Sequence, residues 1–313
     1  MTNNGDMMKA MGLTRRDFVR ATSAIGAAFG LEATGVMSLV GEAQAKETAE
    51  GGVPVLWLQG QACSGCSVSL LNTIFYTTID DLAVNTLDIN FHPNLTAAAG
   101  TMAVAQVERT YRQGGYVLVL EGAIPSGSGG KFCNLWPGMT FDKAVARYAE
   151  RAAFVLGVGT CACFGGIPAA APNPTGAHGL PDYFGNKRVV KIPGCPVHPD
   201  WVVGIVAYIL ANGAAPALDA YGRPKTFFGR LLHGDHCPLK DRGEAHRPGQ
   251  GGCTKEMGCK GPKCYCDCNI RLWNSGAQGQ KGVSWCSGAG AVCIGCSEPN
   301  FPDGMSPFYT KIE

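Results

Sequence analysis

Charge is scarce in this 313-residue chain. Asp, Glu, Lys and Arg make up 16% of it, against roughly 25% in an ordinary soluble domain. Its 26 basic residues nearly balance 24 acidic ones, for a formal net charge of +2. Near-neutrality argues against a nucleic-acid partner, and a surface so poor in charge is expected to be covered in part by another protein. No apolar run of the about 20 residues needed to span a bilayer follows Ser306-Pro307-Phe308-Tyr309 before Glu313, so no transmembrane anchor is expected at that end. Also missing, from Cys253 to Cys296, is the periodic apolar pattern from which a core could be built.

Cysteine takes the place of that core. Of 15 cysteines, eight lie in this stretch: Cys253, Cys259, Cys264, Cys266, Cys268, Cys286, Cys293 and Cys296. Zinc favours two close pairs. Cys293 and Cys296 form one, but the other spacings give no second. A disulfide framework expects a short chain with an even cysteine count, and this chain is long with an odd one. Iron-sulfur ligation fits best, since each cluster replaces missing apolar burial with several strong bonds to the chain.

The chain opens with Thr14-Arg15-Arg16-Asp17-Phe18, a small apolar run from Ala21 to Val40, and Ala43-Gln44-Ala45. This reads as a twin-arginine signal over residues 1–45, cleaved after Ala45. That route exports folded proteins to the periplasm, so clusters can be inserted beforehand. Cleavage removes equal numbers of acidic and basic residues, and the remaining length suits two domains.

From Val53 the pattern is α/β. Short apolar or β-branched runs at 53–58, 87–91, 116–120, 154–158 and 188–192 alternate with helical-length segments at 67–76, 97–112, 141–151 and 200–210. This alternation predicts a doubly wound parallel sheet with flavodoxin-like order over residues 53–216, with ligands gathering beyond the carboxyl ends of its strands. Asn212-Gly213 and the stretch to Pro216 read as a hinge. A loop-rich iron-sulfur domain over 221–313 follows.

Cys63 and Cys66 follow the first strand, Cys161 the fourth and Cys195 the fifth. A lone Cys-x-x-Cys suits a redox dithiol as well as a metal. Two further thiols from neighbouring strand ends shift the reading to a four-thiolate 4Fe-4S site, with Gly60, Gly65, Gly159 and Gly194 allowing close backbone approach.

Together, Cys-Ser-Gly-Cys-Ser, Gly-Thr-Cys-Ala, Pro-Gly-Cys-Pro-Val-His-Pro, Phe-Phe-Gly, Gly-Cys-Lys-Gly-Pro and Cys-Ile-Gly-Cys-Ser-Glu-Pro resemble the small subunit of nickel-iron hydrogenases, in register from about Val53 to Tyr309. The resemblance implies three clusters in a row, with the nickel-iron centre in a separate large catalytic subunit. It implies reversible oxidation of dihydrogen at that centre, with electrons passing through the proximal, medial and distal clusters to a periplasmic cytochrome c or similar carrier.

Matched by motif, the proximal ligands are Cys63, Cys66, Cys161 and Cys195. Oxygen-tolerant relatives add cysteines where this chain has Gly65 and Gly166, so an ordinary four-thiolate cluster is implied. The distal ligands are His233, Cys237, Cys253 and Cys259. This chain has His233-Gly-Asp-His236-Cys237, one residue longer than the family's His-x-x-Cys, and counting from Gly229 selects His233 over His236. The medial ligands are Cys268, Cys286, Cys293 and Cys296.

Most relatives carry proline where Cys286 follows Trp285, leaving three thiolates and a 3Fe-4S cluster. The fourth thiolate resembles the nickel-iron-selenium branch, and a 4Fe-4S medial cluster at lower potential is expected. Cys264 and Cys266 match no ligand position. Cys133 and Cys163 read as small buried hydrophobes, and His198 as a residue that orders the proximal loop. A competing reading is an electron-transfer subunit of another respiratory oxidoreductase without hydrogenase activity. Such relatives share the first domain but lack the distal and medial motifs.

Overall fold

A computed structural model describes residues 52–83, 87–234 and 236–311. The twin-arginine segment of residues 1–45 lies outside the described residues. Five parallel strands form the central sheet: β1 (Val53–Gln59), β2 (Leu87–Phe91), β3 (Val117–Glu121), β4 (Phe154–Val158) and β5 (Val190–Ile192). Their order is β5-β4-β3-β1-β2, with Val55 opposite Val117, Val117 opposite Phe154 and Leu156 opposite Val190. This is the expected flavodoxin-like order. The chain reverses direction across the sheet between β1 and β3, which opens a crevice at their carboxyl ends.

Strand side chains alternate between two cores, as the two-residue period demands. Leu56, Leu58, Leu118 and Leu120 point to one face, beneath α2 (Gly100–Gln113) and α3 (Phe141–Arg151). Val55, Trp57, Val117 and Val119 point to the other, against α1 (Gly65–Leu71) and α5 (Pro199–Asn212). Helix α5 is apolar nearly all round because it is covered on two sides, by the sheet and by the C-terminal segment, whose Phe227, Phe228 and Trp285 join the same buried cluster. Full burial of Trp201 contributes on the order of 2–3 kcal/mol.

Two expected elements differ. The first helix spans Gly65–Leu71 rather than 67–76, because Thr73, Phe75, Tyr76 and Thr77 are poor helix formers and the Asn72 side chain donates to the Val68 carbonyl at 2.7 Å. In the fifth strand only Val190–Ile192 joins the sheet. Lys187–Arg188 pairs instead with Tyr183–Phe184 as an antiparallel ribbon.

After Gly213, whose φ of 61° ends α5, regular structure is sparse. The segment is pinned by buried ion pairs. Arg271 donates to Asp267 at 2.7 and 3.0 Å and to the Tyr76 hydroxyl at 2.8 Å, and lies 3.6 Å from Asp200. Arg223 bridges Asp219 and Glu298.

His198 caps α5: its Nδ1 accepts from the Asp200 amide at 3.2 Å, while Nε2 donates to the Leu272 carbonyl at 2.8 Å. The ring is therefore neutral. Burial lowers its pKa to about 3, so below the ordinary 6.5 the unfolded chain binds the extra proton. The stability His198 contributes is complete above about pH 6.5 and falls by about 1.4 kcal/mol per pH unit beneath it. Denaturant titrations of wild type and His198→Asn from pH 7.5 to 4.5 should show the wild-type advantage shrinking below pH 6.5. A constant difference contradicts this.

Candidate iron-sulfur sites

Three loops bring thiols to one edge of the sheet. Cys63 and Cys66 follow β1, Cys161 lies in α4 (Thr160–Phe164) after β4, and Cys195 follows β5. Cys66 interacts electrostatically with Cys161 and Cys195, and Cys161 with Cys195 and Cys63, so the four predicted proximal residues face one space. Burial pushes the Cys66 thiol well above its ordinary range, opposed by a hydrogen bond from Val197. Burial, then the charge of Cys195, raises Cys161 to about 11. Such thiols keep their protons until a metal displaces them.

Close backbone approach is built into this edge. Gly159 has φ +84°, and a Cβ there would stand 2.4 Å from Cys66 Sγ. A Cβ at Gly65 would stand 3.1 Å from Cys63 Sγ, and one at Gly166 3.0 Å from Cys161 Sγ. Gly65 and Gly166 thus adjoin the predicted proximal thiols and carry no side chain.

Sequence reasoning missed Glu121. At the end of β3 and 2% exposed, it accepts from the amides of Cys66 and Ser67 at 3.1 and 3.2 Å and from Trp57 Nε1 and Gln59 Nε2, both at 3.0 Å. The Ser67 hydroxyl also donates to it and lies 3.3 Å from His92 Nε2. Glu121 therefore sets where α1 begins and where Cys66 points. The available signal was a carboxylate ending the apolar strand Val-Leu-Val-Leu-Glu.

The predicted distal residues also converge. His233 Nε2 lies 3.4 Å from Cys253 Sγ, Cys237 interacts with Cys253 and Cys259, and Gly261 packs between His233 and Cys259 Sγ. His236 is exposed, its carbonyl accepting from Asn269 Nδ2 at 3.3 Å.

The predicted medial residues Cys268, Cys286, Cys293 and Cys296 line a cavity of about 350 Å³. Cys264 and Cys266, which matched no position, line it too. Cys133 and Cys163 stay outside all three groups: Cys133 packs on the α2–α3 core, and Cys163 Sγ donates to the Gly157 carbonyl at 3.3 Å.

The three groups form a row with the medial one in the middle. Cys296 interacts with Cys195 on the proximal side, and Cys286 and Cys293 with Cys259 on the distal side. Thr160 fixes the first junction, its Oγ1 accepting from the Gly194 amide at 2.8 Å and donating to the Cys296 carbonyl. All 15 cysteines are unpaired, which removes the disulfide reading. Among the described residues no three His, Cys, Asp or Glu side chains converge on a single metal ion, as zinc with sulfurs at about 2.3 Å requires. The cavity of about 350 Å³ lined by the predicted medial thiols has room for a polynuclear cluster.

Gly159→Ala combines a left-handed φ with a Cβ clash on Cys66 Sγ. Iron analysis of the purified protein should show less bound iron than in the wild type. Unchanged iron content contradicts this.

Residues 63–209 match the family described as NADH ubiquinone oxidoreductase, 20 Kd subunit, and residues 228–309 match the C-terminal family of the NiFe/NiFeSe hydrogenase small subunit. The periplasmic [NiFeSe] hydrogenase small subunit of Desulfomicrobium baculatum is 38% identical, over 96% of this chain and 99% of its own length. The periplasmic [NiFe] hydrogenase small subunit of Solidesulfovibrio fructosivorans is 36% identical, over 96% and 94%. A crystal structure of the D. baculatum [NiFeSe] hydrogenase in a reduced, active form superposes with a TM-score of 0.77 at 39% identity, covering 83% of this chain and 100% of its own. The recombinant [NiFeSe] hydrogenase of Desulfovibrio vulgaris Hildenborough, in the oxidized state, gives 0.75 at 39% identity, with 83% and 98% covered. On these grounds the chain belongs to the NiFe/NiFeSe hydrogenase small subunit family.

Proposed function

We propose that this chain is the electron-transferring subunit of a periplasmic hydrogenase heterodimer and holds three 4Fe-4S clusters. Cys63, Cys66, Cys161 and Cys195 would hold the proximal cluster, Cys268, Cys286, Cys293 and Cys296 the medial, and His233, Cys237, Cys253 and Cys259 the distal. The observation that carries the reading is the unbroken row of three donor groups, each all sulfur or sulfur and imidazole. Bound there, the clusters supply one-electron carriers between the nickel-iron centre of a large catalytic subunit and an acceptor such as a periplasmic cytochrome c.

The chain's own residues bind, orient and exclude water. Glu121 and Thr160 fix the proximal thiols. Trp201, Trp273 and Trp285 line the medial cavity and keep it dry. Cys63 and Cys195 are exposed at the proximal edge, beside the outward-facing Val68, Leu71 and Ile167. An apolar rim around open thiols suits burial by the large subunit. The alternative, a respiratory electron-transfer subunit sharing only the first domain, leaves the medial and distal groups without a purpose.

Among the described residues no helix is long and apolar enough to cross a membrane. Export rests on Arg15 and Arg16. Arg15→Lys with Arg16→Lys should leave both subunits in the cytoplasm, measured by fractionation and immunoblotting, and mature protein in the periplasm contradicts this.

Cys286 decides the medial cluster type. Electron paramagnetic resonance of the oxidised, undamaged heterodimer should show no stoichiometric 3Fe-4S signal. Cys286→Pro should create one and raise the medial potential, with the proximal and distal clusters intact, because the other three thiolates still tie the loop down. A near-stoichiometric 3Fe signal in the wild type rejects the four-thiolate assignment.

A further inference from the structure

The little charge this chain carries gathers around the predicted distal residues. From Arg230 to Lys263 the sequence holds seven basic and four acidic residues, a net +3, where the whole chain nets +2. Of the basic residues only Lys260 is buried; Arg230, Lys240, Arg242, Arg247, Lys255 and Lys263 are exposed. Among the described residues of this stretch the acidic ones are Asp241, Glu244 and Glu256, and Glu256 is already paired with Lys311 at 2.7 Å. Arg242, Arg247 and Lys255 have no ion-pair partner among the described residues.

The backbone ties these cations to the distal thiols. The Lys240 amide donates to the Cys237 carbonyl at 3.1 Å, and the Arg242 amide to the Leu239 carbonyl at 3.3 Å. Two further bonds clamp the next turn to Cys253, whose amide donates to the Gly243 carbonyl at 2.7 Å and whose carbonyl accepts from the Ala245 amide at 2.8 Å. Gln250 closes the loop: its amide donates to the Arg247 carbonyl at 3.2 Å, and its side-chain oxygen accepts from the His246 amide at 2.9 Å. Lys255 lies in the single turn Thr254–Met257 that leaves Cys253. Beside the loop opens a groove of about 530 Å³, walled largely by glycine, in which Arg242 is the only charged lining residue. All of this lies at the end of the row away from the apolar proximal rim.

We propose that this cationic loop is the docking surface for a protein electron carrier with an acidic face, whose carboxylates meet Arg242, Arg247 and Lys255. The inference rests on the reading of the distal site as the electron exit, and it fixes the charge of the acceptor, which that reading leaves open. Each encounter passes one electron and turns a ferric haem ferrous; the oxidation of one dihydrogen to two protons supplies two such encounters. Opposite charges across a contact speed encounter by about 10- to 1,000-fold at low ionic strength. Salt removes the gain, because exposed charges are screened beyond about 8–10 Å at physiological ionic strength. A lysine-rich carrier is repelled by the same side chains.

The test uses the intact heterodimer under dihydrogen and a lysine-rich cytochrome c, supplied native and after succinylation of its lysines, which reverses the surface charge around an unchanged haem. At an ionic strength of about 10 mM the succinylated protein should be reduced at least about tenfold faster than the native one, and the two rates should converge at about 0.5 M salt. Combining Arg242→Glu, Arg247→Glu and Lys255→Glu should reverse the preference, with iron content and methyl viologen reduction as in the wild type. Arg242→Gln with Arg247→Gln, which removes charge without reversing it, should shrink the preference and flatten the salt dependence. Equal rates for the two forms, or faster reduction of the native one, in a wild type that still reduces methyl viologen overturns the inference alone. A preference that persists in both variants, or at high salt, overturns it as well. Failure of the wild-type heterodimer to reduce methyl viologen with dihydrogen overturns the hydrogenase reading and the inference together.

Discussion

The guanidinium of Arg271 joins the two halves of this molecule. It is held by Asp267, by the Tyr76 hydroxyl and by Asp200, and its flat face lies over the Phe227 ring at 4.8 Å. Asp267 also accepts from Trp201 Nε1 at 2.7 Å. Asp267 precedes Cys268 and Asp200 opens α5, so this one buried cation fixes a medial thiol relative to the helix that leaves the Cys195 loop. Burial pushes Asp200 up to about 6 despite the arginine, because Arg271 is shared between two carboxylates. Removing one partner of such a buried network costs about 3–5 kcal/mol. Here the loss would also loosen the spacing between the proximal and medial groups.

Around that junction the chain substitutes ion pairs and hydrogen bonds for regular structure. The sheet needs no such help, since the apolar side chains of β1, β3 and β4 interlock with helices on both faces. The C-terminal segment lacks that alternation. Its folds are fixed by Arg223 with Asp219 and Glu298 and by Lys260 donating to the Pro307 and Thr310 carbonyls at 2.8 Å. On the proposed function, iron binding by the thiols of this segment adds to its folding free energy.

The proximal edge meets the opposite constraint, crowding. Three loops reach one space, and any side chain at Gly159 would occupy the position of Cys66 Sγ. Glu121 answers the same demand from below by holding the first amides of α1. The cost is a carboxylate buried among apolar strands, compensated by five hydrogen-bond donors: two amides, an indole, a carboxamide and a hydroxyl.

Strand alternation, the strand-end positions of Cys63, Cys66, Cys161 and Cys195, and the grouping of the later cysteines were legible in the sequence because each is a matter of local period or spacing. The Cys-x-x-Cys motifs and the extra Cys286 need no coordinates to be noticed. Other features depend on residues far apart in the chain. Glu121 reaches the Cys66 amide across 55 positions, and Arg271 reaches Tyr76 across 195. Counting from Gly229 selected His233 over His236, but that the His233 ring lies 3.4 Å from Cys253 Sγ is a contact across 20 positions. Cys264 and Cys266, which fitted no motif, acquired a place only when the extended backbone turned both thiols into the medial cavity. Sequence by itself determined the strand alternation and the grouping of the cysteines, because period and spacing are carried by neighbouring residues. Only the tertiary structure decided which groups adjoin and which extra side chains touch them, because burial and contact between distant segments exist only once the sheet, α5 and the C-terminal segment pack together.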